Sequence, residues 1–192
     1  MRLQVGDTMP DRSVTTAFGS ADTLYQLING KNTLIWTVRY IGCPPCHYDT
    51  TMLSQRWERF QAANANVVVV MQSDPAVLRE ATEGEDIPFD IVCDPEMAFY
   101  KDLDIRPAAT MEEARGDEAQ TQKLMAKGKA CAELGYTHGK FEGDEMQLPA
   151  VFVVSGEGKV LFAHYAAAIA DLPDYDEMVA FMESSLHATT KP

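Results

Sequence analysis

The chain contains no run of about 18 consecutive apolar residues, the length a membrane-crossing helix requires, so no membrane partner is expected. It is also poor in positive charge, with 16 Lys and Arg against 29 Asp and Glu and a formal net charge of -13. Nucleic acids and anionic membranes bind clustered cations, which excludes nucleic acid as an expected partner. The opening Met1-Arg2-Leu3-Gln4-Val5-Gly6-Asp7 lacks the apolar stretch of about 7–15 residues found in secretory leaders, and a cytoplasmic setting is the default expectation. Cysteine is scarce: Cys43, Cys46, Cys93 and Cys131 are the four in 192 residues, whereas a secreted disulfide scaffold is shorter and denser in cysteine. No second Cys-x-x-Cys and no His pair accompanies Cys43 and Cys46, so no metal and no cofactor are expected. Repeats and low-complexity segments are absent.

What is present suits one globular domain: 46% of residues are apolar and 23% charged. The β-branched and aromatic run 33–38 predicts a buried strand, and Cys43-Pro44-Pro45-Cys46 follows almost at once. Met52, Leu53, Trp57 and Phe60 recur at helical spacing and predict one helix starting at the cysteines. Residues 67–71 predict a second strand, too apolar for a surface position. Ser73-Asp74-Pro75 offers an N-cap and an early proline for a helix running to about 83. A short strand at 89–92 and a short helix at 95–103 come next. Residues 107–147 differ: 112–134 read as one helix and 135–145 as an exposed acidic loop, so this stretch is expected to be an insertion. A hairpin over 150–163, turning at Ser155-Gly156-Glu157-Gly158-Lys159, and an amphipathic helix over 174–186 close the chain. The fold class is therefore α/β, a mixed central sheet with helices on both faces and a helical insertion before the late hairpin.

The chemistry centres on Cys43 and Cys46. Residues three apart in a first helical turn lie about 5–6 Å from each other, and a disulfide needs Cα atoms about 4.4–6.8 Å apart, so the pair can open and close with little backbone motion. The helix N-terminus presents unpaired N–H groups that stabilise a thiolate. Arg39 and His47 add positive charge nearby, and Arg39 is a candidate thiolate stabiliser. Three other readings stand beside a redox pair. One is half of a zinc site, although zinc takes about four ligands. Another is haem attachment through Cys43-Pro44-Pro45-Cys46-His47. The last is a pair of inert buried thiols.

Several segments in order resemble peroxiredoxin-like proteins of the alkyl hydroperoxide reductase/thiol-specific antioxidant (AhpC/TSA) family, in the thioredoxin-fold superfamily. They are Gly6-Asp7-Thr8-Met9-Pro10-Asp11 at the start, Thr37 to Cys46 at the redox loop, Cys93-Asp94-Pro95-Glu96, Leu148-Pro149-Ala150, and Gly158-Lys159-Val160-Leu161. The resemblance covers nearly the whole chain outside the 107–145 region. It implies a thioredoxin-like fold, a Cys43–Cys46 disulfide that cycles, and Pro149 as a cis-proline facing it. It further implies an oxidoreductase or thiol-dependent peroxidase acting on a peroxide or on a small-molecule or protein disulfide. A thiol reductant such as a thioredoxin-type system would serve it, and a homodimer is allowed. Two departures bear on mechanism. Cys43 stands where the peroxidases carry Thr, and Pro149 stands where they bring in an Arg. In a peroxidase mode Cys46 attacks and Cys43 resolves; in a thioredoxin mode Cys43, expected to be the more exposed, attacks and Cys46 resolves. Both modes stay open, as does a non-enzymatic scaffold that keeps the fold and recruits a partner through the insertion.

Of the remaining residues, Trp36, Cys93, Cys131 and His164 read as structural, and Tyr40 as either a cover for the site or a surface aromatic.

Overall fold

The apolar runs of the sequence become one six-stranded sheet in the computed structural model of the chain, which describes residues 1–19 and 21–189, with side chains described to residue 185. The strands are β1 (Thr15–Thr16), β2 (Asn32–Thr37), β3 (Ala65–Met71), β4 (Asp90–Cys93), β5 (Ala150–Val154) and β6 (Val160–Tyr165), in spatial order β1-β4-β3-β2-β5-β6. β2, β3 and β4 run parallel, while β1, β5 and β6 pair antiparallel to their neighbours. The central strands are apolar throughout because both faces are covered. Leu34, Trp36, Val67, Val69 and Val151 point to one side, and Ile35, Val68, Val70, Val92 and Phe152 to the other.

On the first face lie α2 (Pro44–Ser54), α3 (Trp57–Ala62) and α8 (Tyr175–Thr189), contributing Leu53, Phe60, Met178, Val179 and Met182. On the second lie α1 (Leu24–Ile28) and α5 (Ala98–Asp102), with Leu24, Ile28, Phe99 and Tyr100. α1 ends at Asn29 in the left-handed conformation, φ 49°, as its Asn-Gly end predicts. α4 (Pro75–Ala81) starts from Asp74, whose side chain accepts from the Ala76 N–H. No described helix is long and apolar enough to cross a membrane.

Two predicted helices are each broken. The helix from the cysteines stops at Ser54 and restarts at Trp57. The Thr50, Thr51 and Ser54 hydroxyls donate back to carbonyls four residues earlier, which competes with the helical ladder, and the Arg56 guanidinium is drawn to Asp176 at 2.7 Å. The predicted 112–134 helix is divided into α6 (Met111–Arg115) and α7 (Glu118–Glu133) by Gly116 at φ 74°. Asp117 then opens α7 with a capping box to Gln120.

A buried cross-link of the core is the Tyr100 hydroxyl, shared between the Val38 and Val70 carbonyls where β2 and β3 end. It steadies the strand end from which the redox loop departs. Replacing Tyr100 with Phe leaves the buried Val38 carbonyl without that donor, at a cost of about 1–3 kcal/mol. Equilibrium urea unfolding checks this: the midpoint falls while the slope stays at the wild-type value.

Candidate active site

The loop leaving β2 is stitched to the end of β3. The Gln72 N–H donates to the Arg39 carbonyl at 2.7 Å and the Ile41 N–H to Ser73 Oγ at 2.9 Å. This turns the chain into α2, with Cys43 as N-cap in extended backbone and Pro44 and Pro45 in the first turn, where a missing N–H costs nothing. The Cys46 and His47 N–H groups donate to the Cys43 carbonyl at 2.9 and 3.0 Å. The two sulfurs lie 2.9 Å apart as free thiols at the N-terminus of an 11-residue helix.

Arg39 binds both. Its backbone N–H donates to Cys46 Sγ at 3.4 Å, and its Nη2 donates to Cys43 Sγ at 2.9 Å. The two sulfurs differ electrostatically. Burial pushes Cys46 up, but the hydrogen bond shared with Cys43, the Arg39 charge and the Arg39 N–H together outweigh it and bring Cys46 down from 9.0 to about 7. Cys43 is pushed well above its ordinary range by the bond to Cys46, by burial and by the Cys46 charge. Of the pair, Cys46 is therefore the sulfur that ionises first, and Cys43 is the one held as the thiol.

Two expectations need correction. Cys43 is not the more exposed cysteine: it is 0% accessible against 5% for Cys46. Pro149 is not a cis-proline, since every described peptide bond is trans. Trans is the lower-energy isomer, and Gln147, tied by Nε2 to the Ile105 and Leu148 carbonyls at 2.8 and 2.9 Å, holds the segment extended into β5. Pro149 nevertheless lines the same cavity as Arg39 and Cys46. Of the two readings of Tyr40, the surface aromatic falls away: the ring is fully buried, and its hydroxyl donates to Glu145 Oε1 at 2.9 Å.

That Tyr40 contact belongs to a lid. Residues 135–145, expected to be a solvated acidic loop, lie across the cysteines. The Gly139 N–H donates to the Gly42 carbonyl at 2.8 Å. Arg39 Nη1 donates to the Glu145 carbonyl at 2.6 Å, and Glu142 accepts from Ser73 Oγ and the Asp74 N–H at 2.8 and 3.0 Å. Tyr136 stacks on His47 with ring centres 4.1 Å apart. The crossing is so close that a Cβ on Gly42 would stand 2.3 Å from the Lys140 carbonyl oxygen. Glycine is required there by space rather than by backbone angle.

The accessible side of the site is at Cys46. A cavity of about 10 Å³, the volume that a single water needs, is lined by Arg39, Pro45, Cys46, Asp49, Lys127, Gln147 and Pro149 among others. Asp49 lies one helical turn after Cys46, is 3% exposed, and accepts from Lys127 Nζ at 2.6 Å and from the Tyr175 hydroxyl. None of these partners was foreseen. The signal for Gln147 was a polar residue set directly against the apolar run that starts at Leu148; Lys127 and Asp49 gave none.

Other candidates are not brought to the site. His47 pairs with Glu85 at 2.8 Å. Cys93 lies in β4, its thiol pushed up to about 12 by burial first and by Asp74 next. Cys131 is buried on α7. Trp36 is core, stacked on Tyr175 at 5.5 Å. His164 Nε2 donates to the Asp171 carbonyl at 2.8 Å. Among the described residues no group of three or more His, Cys, Asp or Glu side chains could hold a metal ion.

Residues 5–163 match the AhpC/TSA family. No curated protein sequence matches the chain significantly. Solved structures are similar in fold. A cysteine-to-serine mutant of peroxiredoxin 6 from Arenicola marina aligns with TM-score 0.73 at 11% identity, over 98% of this chain and 76% of its own. Peroxidoxin BcpB from Mycobacterium tuberculosis aligns with TM-score 0.67 at 13% identity, over 99% and 100%. A peroxiredoxin-like protein from Aquifex aeolicus aligns with TM-score 0.64 at 19% identity, over 97% and 89%.

Two outcomes follow from this geometry. Only a thiolate is alkylated, so iodoacetamide labelling of Cys46 in the Cys43→Ser/Cys93→Ser/Cys131→Ser background should rise with pH through a thiolate titration, and replacing Arg39 with Met should move its midpoint upward by removing the guanidinium charge. Gly42→Ala should displace the lid, so maleimide labelling of Cys43 should accelerate while that of buried Cys131 stays unchanged; peptide mass mapping separates the two.

Proposed function

The chain belongs to the AhpC/TSA family, a family of thiol-dependent redox proteins, and we propose that it is a peroxidase in which Cys46 attacks the peroxide and Cys43 closes the disulfide. One observation carries the assignment of roles: Cys46, not Cys43, lines the cavity and has the lowered pKa. The thiolate is the nucleophile in such chemistry.

The steps balance as follows. The Cys46 thiolate attacks one peroxide oxygen. An S–O bond forms, the O–O bond breaks, and its electron pair departs with the far oxygen, which takes up a proton to become water or an alcohol. Cys46 is then a sulfenic acid. The Cys43 thiol attacks that sulfur, water leaves, and a Cys43–Cys46 disulfide results. Starting sulfurs only 2.9 Å apart need little movement for this. An external dithiol of the thioredoxin type returns the pair to the reduced state by exchange.

Arg39 supports this reading as a positioning residue. The late-strand Arg of the resembling peroxidases is absent at Pro149, and a guanidinium arrives instead from the loop after β2, 2.9 Å from Cys43 Sγ. Burial opposes its charge, but the two thiols beside it keep it protonated. A thioredoxin mode led by Cys43 has less support, because that sulfur is fully buried and held as the thiol.

Single variants separate the modes. Cys46→Ser should lose peroxide consumption entirely. Cys43→Ser should consume one equivalent per chain and stop at a sulfenic acid that dimedone traps, seen by intact mass. Retained consumption by Cys46→Ser would refute the assignment.

A further inference from the structure

We propose that the 107–147 segment completes the peroxide subsite: Gln147 Oε1 accepts the O–H of the oxygen that Cys46 attacks, and the Lys127 ammonium gives its proton to the oxygen that leaves. This rests on the peroxidase reading given above.

Gln147 is 1% exposed, yet its Oε1 has no hydrogen-bond partner. The amide cannot simply be turned over to cure this. Its Nε2 faces two carbonyls, of Ile105 and Leu148, and these need the donor end. The acceptor is therefore fixed towards the other side of a residue that lines the Cys46 cavity. Only four buried side-chain atoms lack partners among the described residues, and a second one, Arg39 Nε, is also on a lining residue. A buried amide oxygen without a donor costs about 1–3 kcal/mol. A ligand carrying an O–H at this place relieves that cost, and a hydroperoxide carries one on the very oxygen that becomes sulfenic. With Thr replaced by Cys43, the redox loop itself offers no hydroxyl for this purpose.

Lys127 lines the same cavity from α7 and is held at 2.6 Å by Asp49. Burial disfavours its charge, but Asp49 more than compensates, so the ammonium persists. Hydroxide is the conjugate base of water, with a pKa of about 15.7, so proton transfer to it from an ammonium runs downhill. In the step, sulfur is oxidised and the peroxide reduced. Cys46 gains the O–H oxygen, the far oxygen leaves with the O–O electron pair and takes the Lys127 proton, and the amine regains a proton from solvent. The small cavity selects for size as well: hydrogen peroxide needs slight widening, whereas an aryl-alkyl hydroperoxide needs the wall rebuilt.

The test compares two reactions of Cys46 in the reduced protein. One is thiol loss under excess hydrogen peroxide or cumene hydroperoxide; the other is alkylation by iodoacetamide, which uses the same thiolate but neither hydrogen bond. Wild type should favour hydrogen peroxide over cumene hydroperoxide. With both reactions run at a pH high enough that Cys46 is fully thiolate in every variant, Gln147→Met and Lys127→Met should each slow peroxide oxidation by roughly tenfold or more, with alkylation unchanged, and Lys127→Arg should restore part of the loss. Variants oxidised at the wild-type rate overturn the inference. So do variants slowed equally in both reactions, since that is a general disturbance of Cys46. Should Gln147→Met fail to fold, Lys127→Met and Lys127→Arg decide by the same readings. If wild type is alkylated and forms its disulfide with a dithiol oxidant but ignores both peroxides, the peroxidase reading itself fails, an outcome distinct from either of these.

Discussion

The site hangs on one guanidinium. Arg39 donates from one nitrogen to Cys43 Sγ and from another to the Glu145 carbonyl, while its own N–H reaches Cys46 Sγ. A single side chain thus ties the redox pair to the end of a strand and to a segment more than a hundred residues downstream. Burial makes the arrangement consequential. In water the charge would be screened and the thiol would stay near its ordinary value; in a site with almost no solvent the same contacts are strong enough to offset the desolvation of a thiolate. The close sulfur pair adds to this, because two buried thiols at 2.9 Å can share one negative charge but not two.

The fold itself asks for little that is unusual. Three parallel strands are apolar on both sides because helices cover both sides, and the hairpin of β5 and β6 extends the sheet next to β2. That placement sets the start of β5, with Pro149 just before it, beside the loop that carries the cysteines. The Ala150 N–H donates to Thr37 Oγ1 at 2.7 Å, locking the two together at the mouth of the site. Cysteines from one connection and the Gln147–Pro149 corner from another meet because their strands are neighbours.

Much of this could be read from sequence, and the limits have a physical pattern. Apolar and β-branched runs without polar alternation identified β2, β3 and β5, since doubly covered strands are written that way. Cys43 and Cys46 were legible through their spacing, and Arg39 through its closeness in sequence to them. The helix breaks at Ser54 and Gly116 were not, because hydroxyl back-bonding and a well-made N-cap prevail over a hydrophobic periodicity that continues across them. The lid is exposed, as its polar sequence predicts, but its crossing over the redox loop was not legible. Glu142, Glu145 and His138 look like solvent residues in any local window, and only partners seventy to a hundred positions away turn them into anchors. Exposure of Cys43 was misjudged as well, since its sulfur lies against Arg39 and Cys46. A cis bond at Pro149 was carried over by resemblance, and the local backbone does not adopt it.

The near-contact of two glycines, Gly42 beneath Gly139 and Lys140, has a consequence for traffic through the site. The cavity beside Cys46 has room for a molecule of water size, while the backbone of 139–140 crosses at Gly42, directly before Cys43. A folded protein cannot use that cavity. To exchange a disulfide it must touch sulfur directly, and so the site has to open before it can. The two sulfurs therefore face different surroundings: Cys46 lines a cavity of water size, and the loop that carries Cys43 lies under a segment held by at least five hydrogen bonds.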